Sequence, residues 1–147
     1  MRLPKPERAA RKRSETRDLV QPIIRALNRM PGVRVARNAN LGPVVPWAKR
    51  LDPDARAIVA GLGTGSADVV GMVVVAIDFE HTEGRFGRAF ALEVKLPAEG
   101  DKRAGTLKPD QARWLRIFRK FGGFACVVRS IEEATGAVER CRRGESE

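Results

Sequence analysis

The sequence predicts an α/β domain in which one central mixed β-sheet is flanked by α-helices, in the order α-β-(loop)-β-β-α-β-α. Three observations lead there. Apolar residues recur at helical spacing in two stretches, Leu19 to Leu27 and Trp114 to Phe121. Apolar runs suited to buried strands stand at Val69–Ile77 and Phe124–Val128. Glycine and proline clusters separate these stretches, as turns and connections require.

The elements follow in chain order. Residues 1–13, rich in Pro, Lys and Arg, read as a basic arm, and residues 14–143 as a single domain. Ser14 is a candidate N-cap, with Glu15 and Asp18 in the first turn where the helix dipole favours acids. Leu19, Val20, Ile23, Ile24 and Leu27 form the apolar face, and Pro22 kinks this helix or resets its start. Glu15 falls on that apolar face, either at its rim or as an inward carboxylate. Met30-Pro31-Gly32 ends the helix, and Val33–Asn38 alternates as a strand. A long connection, 39–64, carries Pro43, Pro46 and Pro53 and a short helical turn over 54–60. The glycine-dense Gly61–Ser66 lacks the Lys of a phosphate loop and reads as a tight turn. Asp68 opens the apolar strand. Residues 81–87, with His81 at their start, read as a hairpin connection, and Arg88–Leu96 as the returning strand. Pro97–Thr106 is a polar, basic loop. Pro109 suits the first turn of a helix, whose inward stripe is Gln111, Trp114, Leu115, Phe118 and Phe121. Gly122-Gly123 stops it. A buried strand and a final helix, Ile131–Arg142, complete the chain.

Composition narrows the function classes. The chain has 147 residues, the size of one domain with a real core. Lys and Arg number 28 against 18 Asp and Glu, a formal charge of +10, which points to a polyanion partner and most simply nucleic acid. The absence of Tyr argues against a base-stacking platform and for phosphate contacts. No apolar run reaches the length of a membrane span, and the N-terminus carries charge without a following apolar stretch, so a cytoplasmic protein without a membrane partner is expected. Cys126 and Cys141 make no motif and read as reduced thiols; with a single His, a zinc site is not expected.

The chemistry gathers at Leu92-Glu93-Val94-Lys95. Side chains on a strand alternate, so Glu93 and Lys95 share one face while apolar Leu92 and Val94 take the other. Burying two charges is costly unless they are paired or hold a metal. Asp68, near the start of the antiparallel partner, lies at the same end of the hairpin as Glu93. Two carboxylates and a Lys are what a Mg²⁺-dependent phosphodiester hydrolase needs. The alternative is a structural ion pair on a sheet edge. Gln111 points toward the same sheet.

The ordered set Asp68…Glu93-Val94-Lys95 resembles the PD-(D/E)xK nuclease signature, and more closely the VRR-NUC (virus-type replication-repair nuclease) family. The resemblance extends to Glu15 on the first helix, Arg37-Asn38 ending the first strand, Gly65-Ser66-Ala67-Asp68, and Pro109-Asp110-Gln111 before Gly122-Gly123. Ala67 departs from the Pro common before the acid. The resemblance implies a restriction-endonuclease-like core and a divalent-metal-dependent DNA endonuclease. Mg²⁺ or Mn²⁺ would be held by Asp68, Glu93 and the Val94 carbonyl. Lys95 would act on the attacking water, with Gln111 and Glu15 in support. Arg37, Asn38, Ser66, Lys102, Arg103, Arg113, Arg116 and Lys120 are the candidate DNA contacts. Family members of this size imply a homodimer acting on Holliday junctions or other branched DNA, in replication, repair or recombination, in a bacterial or phage-infected cell. A catalytically inactive DNA-binding module and a basic RNA-binding protein are the competing readings.

Overall fold

The computed structural model of the chain describes residues 13–38, 62, 65–79 and 82–147. Expectations for the rest of the basic arm, for most of the 39–64 connection with its helical turn, and for His81 lie outside the described residues. Ser14 brackets the first helical turn. Its hydroxyl accepts the Arg17 N–H at 3.4 Å, and its own N–H donates to Asp18 Oδ2 at 2.6 Å. A wide turn follows at Thr16–Val20, in which the Gln21 N–H reaches back to the Thr16 carbonyl, and then α1, Gln21–Leu27. Pro22 accounts for the switch. It has no N–H with which to close an ordinary turn, so the helix is reset at the proline.

Strands β1 (Val33–Arg37), β2 (Val69–Phe79), β3 (Thr82–Val94) and β4 (Phe124–Val128) form one sheet in that spatial order. β1, β2 and β3 are antiparallel neighbours, and β4 runs parallel to β3. Helix α2 (Pro109–Lys120) makes the crossover between β3 and β4, and α3 (Ile131–Arg142) follows. The Ser130 hydroxyl caps α3 by accepting the Glu133 N–H at 3.0 Å. The molecule is thus an α/β fold with a four-stranded mixed sheet flanked by helices, in the expected element order.

Two local expectations are corrected. Residues 82–87 are not a connection: they pair along β2, from Phe79↔Thr82 to Val74↔Gly87. The long apolar strand presents main-chain groups that need partners, and this outweighs the turn signal of Gly84 and Gly87. Phe121, expected on the inward stripe of α2, is 85% exposed. It is the C-cap, one residue past the last helical position, where the helical period no longer directs a side chain.

The two faces of the sheet differ. Phe90, Leu92 and Val94 of β3 join Val69, Val73 and Phe124 in the main core, against Ile23 and Leu27 of α1 and Ala134, Ala137 and Val138 of α3. The other face carries a smaller cluster of Ala67, Ala91, Leu115 and Ala125, with Val70, Leu107, Trp114 and Phe118 packed on it. Trp114 and Phe118 stack at 5.1 Å. Small alanines let α2 lie close to the strands. Because β3 alternates, and Lys95 just past its end continues the ladder with its N–H on the Val128 carbonyl at 3.0 Å, Glu93 and Lys95 fall on this second face, in line with Ala91.

Candidate active site

Glu93 is fully buried and Lys95 is 6% exposed. Lys95 Nζ stands 2.7 Å from Glu93 Oε1. The Gln111 side-chain amide donates to the same Oε1, while its oxygen accepts the Lys108 N–H at 3.0 Å. Gln111 therefore ties the start of α2 to the buried acid. Pro109 at the first turn of the helix sets Lys108 as the N-cap, which brings its N–H within reach of the side chain three residues on. Oε1 is thus held from two sides, and Oε2 is buried with no hydrogen-bond partner.

Asp68 sits one residue before β2. The ladder ends at Val69↔Leu92, so continuing its register sets Asp68 opposite Glu93. Asp68 Oδ2 accepts the Val94 N–H at 2.9 Å, which holds the carboxylate at the end of β3. Glu15, at the start of the first helical segment, extends across to the residue after Lys95: its Oε2 accepts the Leu96 N–H at 3.3 Å. Three acids and one Lys therefore share this end of the sheet. Burial raises the Glu93 carboxyl from 4.5 to about 7, and the charges of Asp68 and Glu15 push the same way against the hydrogen bond and charge of Lys95.

The Ser66-Ala67-Asp68 turn is held from β1. Asn38 continues the β1 ladder with its N–H on the Asp68 carbonyl at 2.8 Å. Its side chain donates to Ser66 Oγ at 2.8 Å and to the Ala67 carbonyl at 2.8 Å. Gly65 has φ +80°, and a Cβ there would sit 2.8 Å from the main chain of Asp110. The turn thus touches the beginning of α2 through a residue that only glycine fits.

The structure brings Asp68, Glu93, Lys95, Gln111 and Glu15 together. Ser66 and Asn38 face one another in the turn, with Ser66 buried. Arg37 is exposed at the end of β1, Lys102 and Arg103 are exposed in the loop that follows Lys95, and Arg113, Arg116 and Lys120 are exposed along α2. That loop folds back on the site, because the Gly105 N–H donates to the Leu96 carbonyl at 2.8 Å. Sequence reasoning missed its second anchor. Arg13, at the end of the basic arm, pairs with Glu99 at 2.9 Å and donates to the Pro97 carbonyl at 3.4 Å. No spacing rule signals that contact. The close approach of Gly65 to Asp110 was signalled only by the density of glycines before Asp68.

The donor set suits a hard cation. Glu93 keeps a buried oxygen without a partner, it faces Asp68, and a single Lys does not balance the acids gathered there. Among the described residues, no three His, Cys, Asp or Glu side chains come together closely enough to hold an ion by themselves. A site here would take two carboxylates and a main-chain carbonyl. An open groove of about 440 Å³ on this face is lined by Ala36, Val70, Met72, Ala89 and Phe118, none of them among the clustered acids. Among the described residues, no helix is long and apolar enough to cross a membrane. Comparison of the chain with known protein families, with curated proteins and with solved structures finds no match.

Proposed function

We propose that the protein is a divalent-metal-dependent DNA endonuclease of the VRR-NUC kind, with a restriction-endonuclease-like arrangement of its sheet and helices. One observation carries the reading: a fully buried Glu93, opposite Asp68, with one oxygen held by Lys95 and Gln111 and the other unpartnered. A structural ion pair gives a poor account of this group. A buried pair contributes little net stability, and the neighbouring Asp68 and Glu15 make it worse. A cation-binding site needs that excess of negative charge.

On this reading Asp68, Glu93 and the Val94 carbonyl hold Mg²⁺ or Mn²⁺. When bound, such an ion polarises the scissile phosphate and lowers the pKa of a coordinated water. The protein's own groups do the rest. Gln111 and Lys95 fix Glu93 Oε1, which leaves Oε2 as the oxygen that would bind the cation. Lys95 orients the attacking water and stabilises negative charge as the phosphate is attacked. Glu15 holds the main chain immediately after Lys95. Arg37, Lys102, Arg103, Arg113, Arg116 and Lys120 take the phosphates on either side of the cut. The substrate is branched or duplex DNA, with a four-way junction the favoured form. A symmetric homodimer matches the two equivalent strands of such a junction.

The test is cleavage of labelled four-way junction, flap, duplex and single-stranded DNA in Mg²⁺ or Mn²⁺, beside Lys95→Ala. The reading expects metal-dependent cutting that the variant loses, strongest on branched DNA. Tight binding with no cutting of any substrate would instead support a non-catalytic DNA-binding module.

A further inference from the structure

The geometry points to Asn38 as a positioning residue that sets the Asp68 carboxylate for metal binding, and not as a phosphate contact; this rests on the nuclease reading above. A side-chain amide has two N–H donors and one carbonyl acceptor. Both donors of Asn38 are spent, one on Ser66 Oγ and one on the Ala67 carbonyl, each at 2.8 Å. Its main-chain N–H is spent as well, on the Asp68 carbonyl. The amide cannot be turned round, because its oxygen would then face the Ala67 carbonyl, acceptor against acceptor. What Asn38 has left is an acceptor oxygen, which a phosphate repels.

The three bonds fall on three consecutive residues, Ser66, Ala67 and Asp68, and two of them grip the main chain. This is the stretch that leads into β2 and must hold Asp68 so that Oδ2 meets the Val94 N–H. Ala67 is fully buried and Ser66 nearly so, which locks the turn against the smaller core cluster. On its other side, Gly65 lies against Asp110, the neighbour of Gln111. Asn38 thus links β1 to both carboxylates: to Asp68 through the turn, and to Glu93 through the turn's contact with the start of α2. Partners that orient a metal ligand without touching the metal typically change affinity or activity by about 10- to 100-fold.

The experiment compares wild type with Asn38→Ala and Asn38→Ser in the full-length protein. Mn²⁺ binding is measured by calorimetry without DNA, DNA binding in EDTA, and single-turnover cleavage across a Mn²⁺ series. Melting temperature without metal reports whether each variant is folded. The proposal expects Mn²⁺ affinity to fall about tenfold or more in Asn38→Ala. DNA affinity in EDTA stays within about twofold, since no phosphate contact is removed. Cleavage lost at low Mn²⁺ returns as Mn²⁺ is raised. Asn38→Ser, which retains one donor, is intermediate, and decides the matter should the alanine variant not fold. Unchanged Mn²⁺ affinity with weakened DNA binding would make Asn38 a phosphate contact and overturn the proposal. Unchanged Mn²⁺ affinity with unchanged DNA binding would overturn it too. A wild-type protein that takes up no Mn²⁺ would remove the nuclease reading and this assignment together, whereas a wild type and variant that bind Mn²⁺ equally would remove the assignment alone.

Discussion

Glu93 couples the site to stability. In the unfolded chain its carboxyl loses a proton near 4.5, and in the folded protein near 7. Between those values the folded state holds a proton that the unfolded state lacks, so stability falls as pH rises across the window and levels off above it. Urea unfolding of the metal-free protein between pH 5 and 8 should show this decline. Glu93→Gln, which cannot titrate, should flatten it, and saturating Mn²⁺, which favours the carboxylate, should flatten it in the wild type. Lys95→Ala should reduce cleavage by about 10²- to 10⁴-fold, the usual contribution of a group that handles the proton of an attacking water. The shared face of Glu93 and Lys95 was legible in the sequence, because the two-residue period of a strand puts polar 93 and 95 opposite apolar 92 and 94. The inward course of Gln111 was legible from helical spacing. The unpartnered Oε2 and the bond from Leu96 to Glu15 were not, since they depend on how separate elements meet in space.

At the level of elements, the turn before β2 lies tight against the start of α2. Gly65→Ala should cost about 2 kcal/mol or more, from its left-handed backbone together with the contact on Asp110. Gly122→Ala supplies the contrast. It has φ +87° and nothing within 4 Å of the added Cβ. Only the backbone term remains there, about 1 kcal/mol. Equal losses in urea unfolding of the two variants would contradict the role given to the Asp110 contact. Element types and order were readable because each core stretch shows a clear period: helical for Ile23 and Leu27, continuous for β2. The hairpin boundary was not. Thr82 to Gly87 is rich in glycine and polar residues and reads as a turn, and only pairing with β2 makes it strand. Tertiary partners decided what local propensity could not.

For the whole molecule, the governing feature is a basic surface around an acidic centre. Replacing Lys102, Arg103, Arg113 and Arg116 together by alanine should weaken DNA binding and flatten the slope of log K against log salt by about 3 to 4 if each meets one phosphate. An unchanged slope would place the DNA elsewhere. The net charge of +10 gave the expectation of a polyanion partner from composition alone. Lys102, Arg103, Arg113 and Arg116 were already candidates in the sequence, and the fold adds that all four are exposed, on the loop after Lys95 and along α2. The pairing of Arg13 with Glu99 was likewise invisible in the sequence, since 86 positions separate the two and nothing local marks either.

The central claim is that Asp68, Glu93 and Lys95 form a metal-dependent phosphodiester-cleaving site. It is tested most directly by the single-turnover rate of cutting of a four-way junction in EDTA and across a Mg²⁺ series, for wild type and Lys95→Ala at saturating protein. The account predicts no cutting in EDTA, a rate that rises and saturates with Mg²⁺, and loss of that rate in Lys95→Ala with the junction still bound. Cutting that persists in EDTA, or that survives Lys95→Ala at the wild-type rate, would contradict it.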